Sequence, residues 1–430
     1  MDPHFDRRTR PRIVIDLNDE RDGLVNCYTT GDEIQGKVTV TTEHDLPFHS
    51  IHITFEGISE TAVEPPGTII NRTRATHRFL KLSQPIEPNR YPENHTLQKG
   101  ITYPFAFTFV VPDYLLPQSC NHPTGNWALK DAHTRVPPSL GDPVQLHDPR
   151  QPLDDYAPAA CRIGYVIKVV VLDTPFDDGG ISTTAILAAV GKKVHVVPTV
   201  DEDPPLSVPP DSTEYRPWLK TVVRQGLSRS ITGRLILSAV QPRPLQVRLG
   251  GLEPSTTTGI LATLHLRFDP IANERPPQLD ALCSQLKIVT FLTVRPFTDF
   301  PTNSLGEREQ MNRRAYQHVI PLLNVQITSV PWIQRTERVE TAALRTPEGI
   351  CPHRKFYTAS VAIPTSLPSG KSFPPTFHSC YISRIYILKL KVSYLTFGLV
   401  KKTNSIKLPL QIIAGRPAEG RLGSIGSRES

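Results

Sequence analysis

Apolar and polar side chains alternate through much of this chain. In YTTGDEIQGKVTVTT, residues 28–42, Ile34, Gly36, Val38, Val40 and Thr42 fall on one side. Glu33, Gln35, Lys37, Thr39 and Thr41 fall on the other. A period of two is that of a strand with one dry face and one wet face, and Gly31-Asp32 ahead of it is turn chemistry. SIHITFEG repeats the pattern, with Ile51, Ile53 and Phe55 set against His52, Thr54 and Glu56. YPFAFTFVVP places Tyr103, Phe105, Phe107, Phe109 and Val111 together, and RIGYVIKVVVLD aligns Ile163, Tyr165, Ile167, Val169 and Val171. The other face of that last segment, Lys168 apart, is also mostly apolar, which predicts a central strand. KKVHVVP follows and stops at Pro198.

Residues 198–217, PTVDEDPPLSVPPDSTEYRP, break the pattern: the stretch is acidic and Pro-rich and reads as a linker. Strands resume in GRLILSA, LQVRLGGL, LATLHLRFD, LKIVTFLTV and IPLLNVQIT. RIYILKLKVSYL closes the series, with Tyr386, Leu388, Leu390, Val392 and Tyr394 inward and Lys389, Lys391 and Ser393 outward. Short alternating strands separated by turn signals, in two halves, predict an all-β protein of two tandem immunoglobulin-like β-sandwiches. The division that follows is a flexible N-terminus over 1–11, a sandwich over 12–197, the linker over 198–217, a second sandwich over 218–414 and a disordered Gly- and Ser-rich tail over 415–430. One segment dissents. SLGEREQMNRRAYQHV, residues 304–319, offers Ser304 as an N-cap and good helix formers, and predicts a single surface helix or polar loop.

Composition sharpens this picture without changing it. A length of 430 residues suits about two domains. The 43 prolines disfavour long helices and favour strands, turns and extended loops. A formal net charge of +7 permits weak contact with anionic lipid, and no nucleic-acid motif accompanies it. Cys27, Cys120, Cys161, Cys283, Cys351 and Cys380 are scattered with no C-x-x-C pair, so free thiols in a reducing compartment are expected. MDPHFDRRTRPR has no apolar signal-peptide region, and no stretch reaches the ~20 apolar residues of a membrane span. A cytoplasmic protein is expected.

Catalytic signatures are missing from the sequence. No G-x-S-x-G elbow and no Gly-rich phosphate loop occurs, and the LGSIGS near the C-terminus lies in the tail. Neither an enzyme nor a bound cofactor is expected. Cys120, His122 and His133 in SCNHPTGNWALKDAH have donor chemistry that suits zinc. A structural site normally needs four ligands, often in paired spacings, no second pair lies nearby, and ordinary loop hydrogen bonding is the expectation, with no metal. Arg7, Arg8, Arg10 and Arg12 crowd the N-terminus, and Arg384, Lys389, Lys391, Lys401, Lys402 and Lys407 crowd the last strands. They either hold an anionic partner or form a solvated strand face that discourages edge aggregation.

These segments, in their order, resemble the arrestin family. YTTGDEIQGKVTV followed by IHITFEG is similar to the start of an arrestin N-terminal domain. LQKGITYPFAFTFVVPDYLLPQSC is similar to that domain's strand of alternating aromatics closed by a proline. HTRVPPSLGD, residues 133–142, resembles the segment that fungal arrestin-like proteins carry before the strand matched here by IGYVIKVVV. The likeness covers residues 12–197, and FHSCYISRIYILKLKVSYL before IKLPLQII resembles the closing strands of the C-terminal domain.

The resemblance implies two sandwiches in the arrestin arrangement and a non-catalytic adaptor that binds cytoplasmic tails of membrane proteins. It implies a role in ubiquitin-dependent endocytosis or trafficking of transporters and receptors, with recruitment to plasma membrane or endosomes. Fungal relatives bring a WW-domain HECT ubiquitin ligase through P-P-x-Y. Here the Pro-Pro pairs read PPGT, PPSL, PPLS, PPDS, PPQL and PPTF, none with tyrosine two places on. A ligase would therefore need another surface, a tail missing here, or a partner arrestin. The alternative implied function is a structural scaffold, such as a sorting-complex subunit with an arrestin fold. The loop over 64–77 is a candidate contact for a tail.

Overall fold

The computed structural model describes residues 10–19, 26–64, 72–142, 154–173, 176–178, 181–183, 185–199, 214–225, 230–248, 259–303, 311–327, 329–338, 353–396 and 400–415. The first half contains β1 (Arg12–Leu17), β2 (Cys27–Tyr28), β3 (Glu33–Thr41), β4 (Ser50–Val63), β5 (Thr73–Gln84), β6 (Thr102–Val110), α1 (Trp127–Thr134), β7 (Cys161–Leu172) and β8 (Ile186–Val196). A three-stranded sheet, β1-β3-β6, faces a five-stranded sheet, β2-β8-β7-β4-β5.

The period-two pattern decides which side chains meet between them. Ile34, Val38 and Val40 of β3, the odd-numbered aromatics of β6 and Ile163 to Val171 of β7 share one core. β7 sits between β8 and β4, the central place its doubly apolar pattern predicts. Gly36 is required where β1 and β6 converge, because a Cβ there would run into the Asp16 carbonyl and the Phe107 ring. Residues 136–140 of the HTRVPPSLGD segment thread inside this sandwich and are buried. Tyr165 Oη donates to the Pro137 carbonyl at 2.5 Å, and Ser139 Oγ accepts from the Val196 amide at 2.9 Å.

The second half contains β9 (Trp218–Gln225), β10 (Ser230–Ala239), β11 (Ile260–Pro270), β12 (Leu279–Thr293), β13 (Arg313–Gln326), β14 (Ile333–Arg338), β15 (His353–Thr365), β16 (Phe377–His378), β17 (Ile382–Thr396) and β18 (Val400–Leu410). One sheet runs β9-β10-β11-β15-β14 and the other β13-β12-β17-β16, with β18 also paired to β17. The core between them holds Leu235, Leu264, Phe268, Leu286, Tyr386, Leu388 and Leu390. The protein is all-β, in sandwich layers.

Three expectations are corrected. Residues 313–319 belong to strand β13, not to a helix or polar loop; 304–310 lie outside the described residues. β13 pairs with β12 from Arg313↔Thr293 to Gln326↔Ala281, and that ladder outweighs the weak helix preference of long polar side chains on an exposed edge. The 64–77 loop is shorter than expected, because β5 begins at Thr73; residues 65–71 lie outside the described residues. Arg384 is not part of a solvated face: it is fully buried.

Its burial follows from how the halves meet. Near residues 290–293 and 382–388, β12 and β17 are buried on both faces: along one face Ile288, Tyr386 and Leu388 fill their own core and Leu292 and Ile382 run on into that of the first half, while on the other Val289, Phe291, Ile385 and Ile387 pack with Phe297. Leu292, Phe377 and Ile382 complete the core of the first sandwich. Thr61 Oγ1 donates to the Thr293 carbonyl at 2.7 Å, and Arg314 donates to the Glu64 carbonyl.

Candidate metal centre between the two halves

Residues 114–135 leave the first sandwich as a tied excursion. At its base, the Leu115 amide donates to the Thr134 carbonyl at 2.6 Å and Tyr114 bridges Arg135. Its first limb is a 3-10 turn, Pro117–Cys120, started by a proline whose fixed φ suits that place. Ser119 Oγ anchors the turn by donating to the Phe79 carbonyl at 2.7 Å. Its second limb is α1, begun by Asn126, whose Oδ1 accepts from the Leu129 amide at 2.8 Å. The helix was not anticipated, although Asn126 followed by W-A-L-K-D-A-H carries a cap and good formers. At the tip, the Gly125 amide donates to the Thr298 carbonyl of the second half at 2.6 Å.

Cys120 ends the first limb and His133 lies on the buried face of α1. Cys380 arrives from the second half, in the tight turn between β16 and β17. Ser379 Oγ donates to the Ile382 carbonyl at 2.7 Å, and the Phe297 amide donates to the Cys380 carbonyl at 2.9 Å. Donor atoms of Cys120, His122, His133 and Cys380 all lie within 4.8 Å of one another. Cys120 Sγ stands 3.4 Å from His122 Nε2 and 3.7 Å from His133 Nδ1. Cys120, His133 and Cys380 are buried and His122 is half-buried.

The sequence brought three of these residues to notice and missed Cys380, because nothing local in the chain marks a donor supplied across a domain interface. Burial, with His122 and His378 close by, pulls the His133 imidazole down to about 3, so the ring is neutral. Burial pushes the Cys380 thiol up, and the neighbouring Cys120 adds to it. Cys120, Cys161, Cys27, Cys283 and Cys380 are free thiols, and Cys351 lies outside the described residues. The arrangement can ligate a soft or borderline metal.

The basic residues fall into separate groups. Arg7 and Arg8 lie outside the described residues, and Arg10 and Arg12 are exposed. Lys389 and Lys391 on β17 share an outward face with Lys287 on β12 and Lys407 on β18. Burial, then repulsion from Lys391, Lys407 and Lys287, lowers the Lys389 ammonium below its usual range. Lys401 and Lys402 are exposed, and Lys401 pairs with Asp280 at 2.7 Å. The buried Arg384 instead donates to the carbonyls of Asp155 and Tyr156 in the first half.

Among known families, residues 15–201 match the model described as arrestin (or S-antigen), N-terminal domain. No curated protein matches the chain.

Proposed function

The chain is an arrestin-like protein, and from that premise we propose that it is a non-catalytic cytoplasmic adaptor for the cytoplasmic tails of membrane proteins. The observation that carries the reading is the matched N-terminal domain. Its three-stranded sheet ends in two edge strands, β1 and β6, each laddered on one side only among the described residues. An extended tail added to such an edge gains main-chain hydrogen bonds without needing special side chains. The lysine face of β12, β17 and β18 supports attraction to acidic tails or anionic lipid, both weakened by salt. Among the described residues, no helix is long and apolar enough to cross a membrane.

Ubiquitin-dependent endocytosis belongs to the same proposal, by a route other than a Pro-Pro pair of the chain docking a WW domain. Pro137, Pro138, Pro374, Pro375 and Pro277 are buried and Pro276 is half-buried, so these pairs cannot lie along an aromatic groove. The remaining pairs lie outside the described residues, and none carries the tyrosine. A HECT ligase would come through another surface or a partner arrestin.

Pull-down of transporter tails with the purified full chain at low salt tests the adaptor reading. Enrichment of particular tails supports it; no enrichment of any tail counts against it. A scaffold or sorting-complex subunit would instead run in native extract as a stable stoichiometric assembly on size exclusion.

A further inference from the structure

The Cys120, His122, His133 and Cys380 cluster has the donor set, the spacing and the enclosure of a structural metal site. Zinc bonds of about 2.3 Å to sulfur and 2.0–2.1 Å to nitrogen at tetrahedral angles place neighbouring donors roughly 3.3–3.8 Å apart. The two measured Cys–His separations, 3.4 and 3.7 Å, fall in that window. The remaining donors lie within 4.8 Å, a distance that small rotamer shifts close.

The rings are also oriented for ligation. His122 Nδ1 lies 3.1 Å from the Pro123 carbonyl. With the proton on Nδ1, donated to that carbonyl, the Nε2 lone pair faces Cys120. A second hydrogen bond to a backbone carbonyl is the usual way a ligating histidine has its tautomer fixed. His133 has its Nδ1 toward Cys120, and its buried Nε2 finds no hydrogen-bond partner among the described residues. Ligation through Nδ1 gives this buried imidazole a polar role on its Cys120 side.

We propose that Cys120, His122, His133 and Cys380 bind one zinc ion that pins residues 117–134 of the first sandwich to the turn at residues 377–382 of the second. Two thiolates and two imidazoles are the donor set that selects zinc over hard cations. Four protein ligands fill the tetrahedron and leave no open position, so the ion is structural. Three ligands come from the excursion of one half and the fourth from the other. The metal therefore closes a long loop and fixes how the halves sit together.

The test uses the full chain, expressed with zinc in the medium and purified without chelator. Elemental analysis is expected to return about one zinc per chain. Cobalt exchanged for zinc should show the absorption of a tetrahedral ion with thiolate charge transfer. Cys380→Ser should lose the metal, whereas Cys283→Ser should keep it. His122→Ala is the variant that guards against misfolding, because His122 is half-buried in a loop; it too should lose the metal. Removing zinc with a strong chelator should raise amide exchange in residues 117–134, and zinc should restore protection. Metal far below one per chain, metal content indifferent to Cys380→Ser and His122→Ala, or an intact mass short of the two thiol hydrogens of Cys120 and Cys380 would each overturn the proposal.

Discussion

The Arg384 guanidinium reaches across the interface and donates to the Asp155 carbonyl at 2.7 Å, and to that of Tyr156 at 3.4 Å. Asp155 in turn organises the loop that offers those carbonyls. Its carboxylate accepts from the Gly141 amide at 2.7 Å and from the Ala157 amide at 2.9 Å. Burial pushes the Asp155 carboxyl up, while these amides and the Arg384 charge hold it down. A fully buried cation survives only with such company. Tyr156, next along, stacks 4.5 Å from the His318 ring, and Lys371 pairs with Asp154 at 3.1 Å.

Arg384→Met tests this tie. Removing the guanidinium strips the Asp155 and Tyr156 carbonyls of their donor and leaves the Asp155 carboxylate without its countercharge. A loss of about 3–5 kcal/mol is expected in urea unfolding. Arg384→Lys should recover little, because an ammonium cannot reproduce the planar fork that spans two carbonyls. A loss under ~1 kcal/mol would show that the interface stands without it.

Much of this architecture was legible because strand alternation is a local signal. Ile34, Phe105 and Tyr165 announce their faces in the sequence, and the sandwich follows from them. What stayed hidden is non-local. Arg384 shares the inward parity of Tyr386 and Leu388 but reads as one more basic residue of a lysine-rich strand, because its partners, the Asp155 and Tyr156 carbonyls, come from the other half. Cys380 reads as an isolated thiol for the same reason. The start of strand β13, residues 313–319, was obscured by the opposite effect: an edge strand with one ladder partner does not need the apolar period that marks a central one.

Tyr165→Phe removes a hydroxyl and nothing else from the core. The Pro137 carbonyl, buried and unable to reach water, loses the donor 2.5 Å away. A cost of about 1–3 kcal/mol is expected, and it should fall on the first half. Val136, Ser139 and Leu140, the residues of this segment that carry an amide proton, should exchange faster, while β12 and β17 keep their protection. Uniform loosening of both halves would mean that the threaded segment is not what this bond holds.

Gly125→Ala should part the tip of the excursion from the second half. A Cβ at this residue would meet the Asp299 carboxylate well inside contact distance and crowd the Thr298 carbonyl. The Asp299 carboxylate ends an exposed side chain and can turn away, so the cost comes from the crowded Thr298 carbonyl and is expected to be about 1 kcal/mol or less. The amide of residue 125, bonded to Thr298, should lose its exchange protection. Gly100→Ala serves as the contrast: it lies in open space but at φ +74, so its cost is local backbone strain and leaves residue 125 protected.

Acid should weaken the first half through His195, the penultimate residue of β8. Burial holds its imidazole down to about 4, with Asp142 the facing charge that partly opposes this. In the unfolded chain the same ring titrates near ~6.5. Between those values the unfolded state binds the proton and the folded state does not, so stability rises with pH there. The contribution is complete above about 6.5 and is lost as pH falls toward about 4, to a limit of about 3 kcal/mol. His195→Gln removes the titration and keeps a polar side chain of similar reach. Between about pH 7 and about pH 4.5 the urea midpoint of the wild-type protein should fall further than that of the variant. Parallel pH profiles would show that His195 is as easily protonated in the fold as outside it, and the acid sensitivity would then belong to other groups.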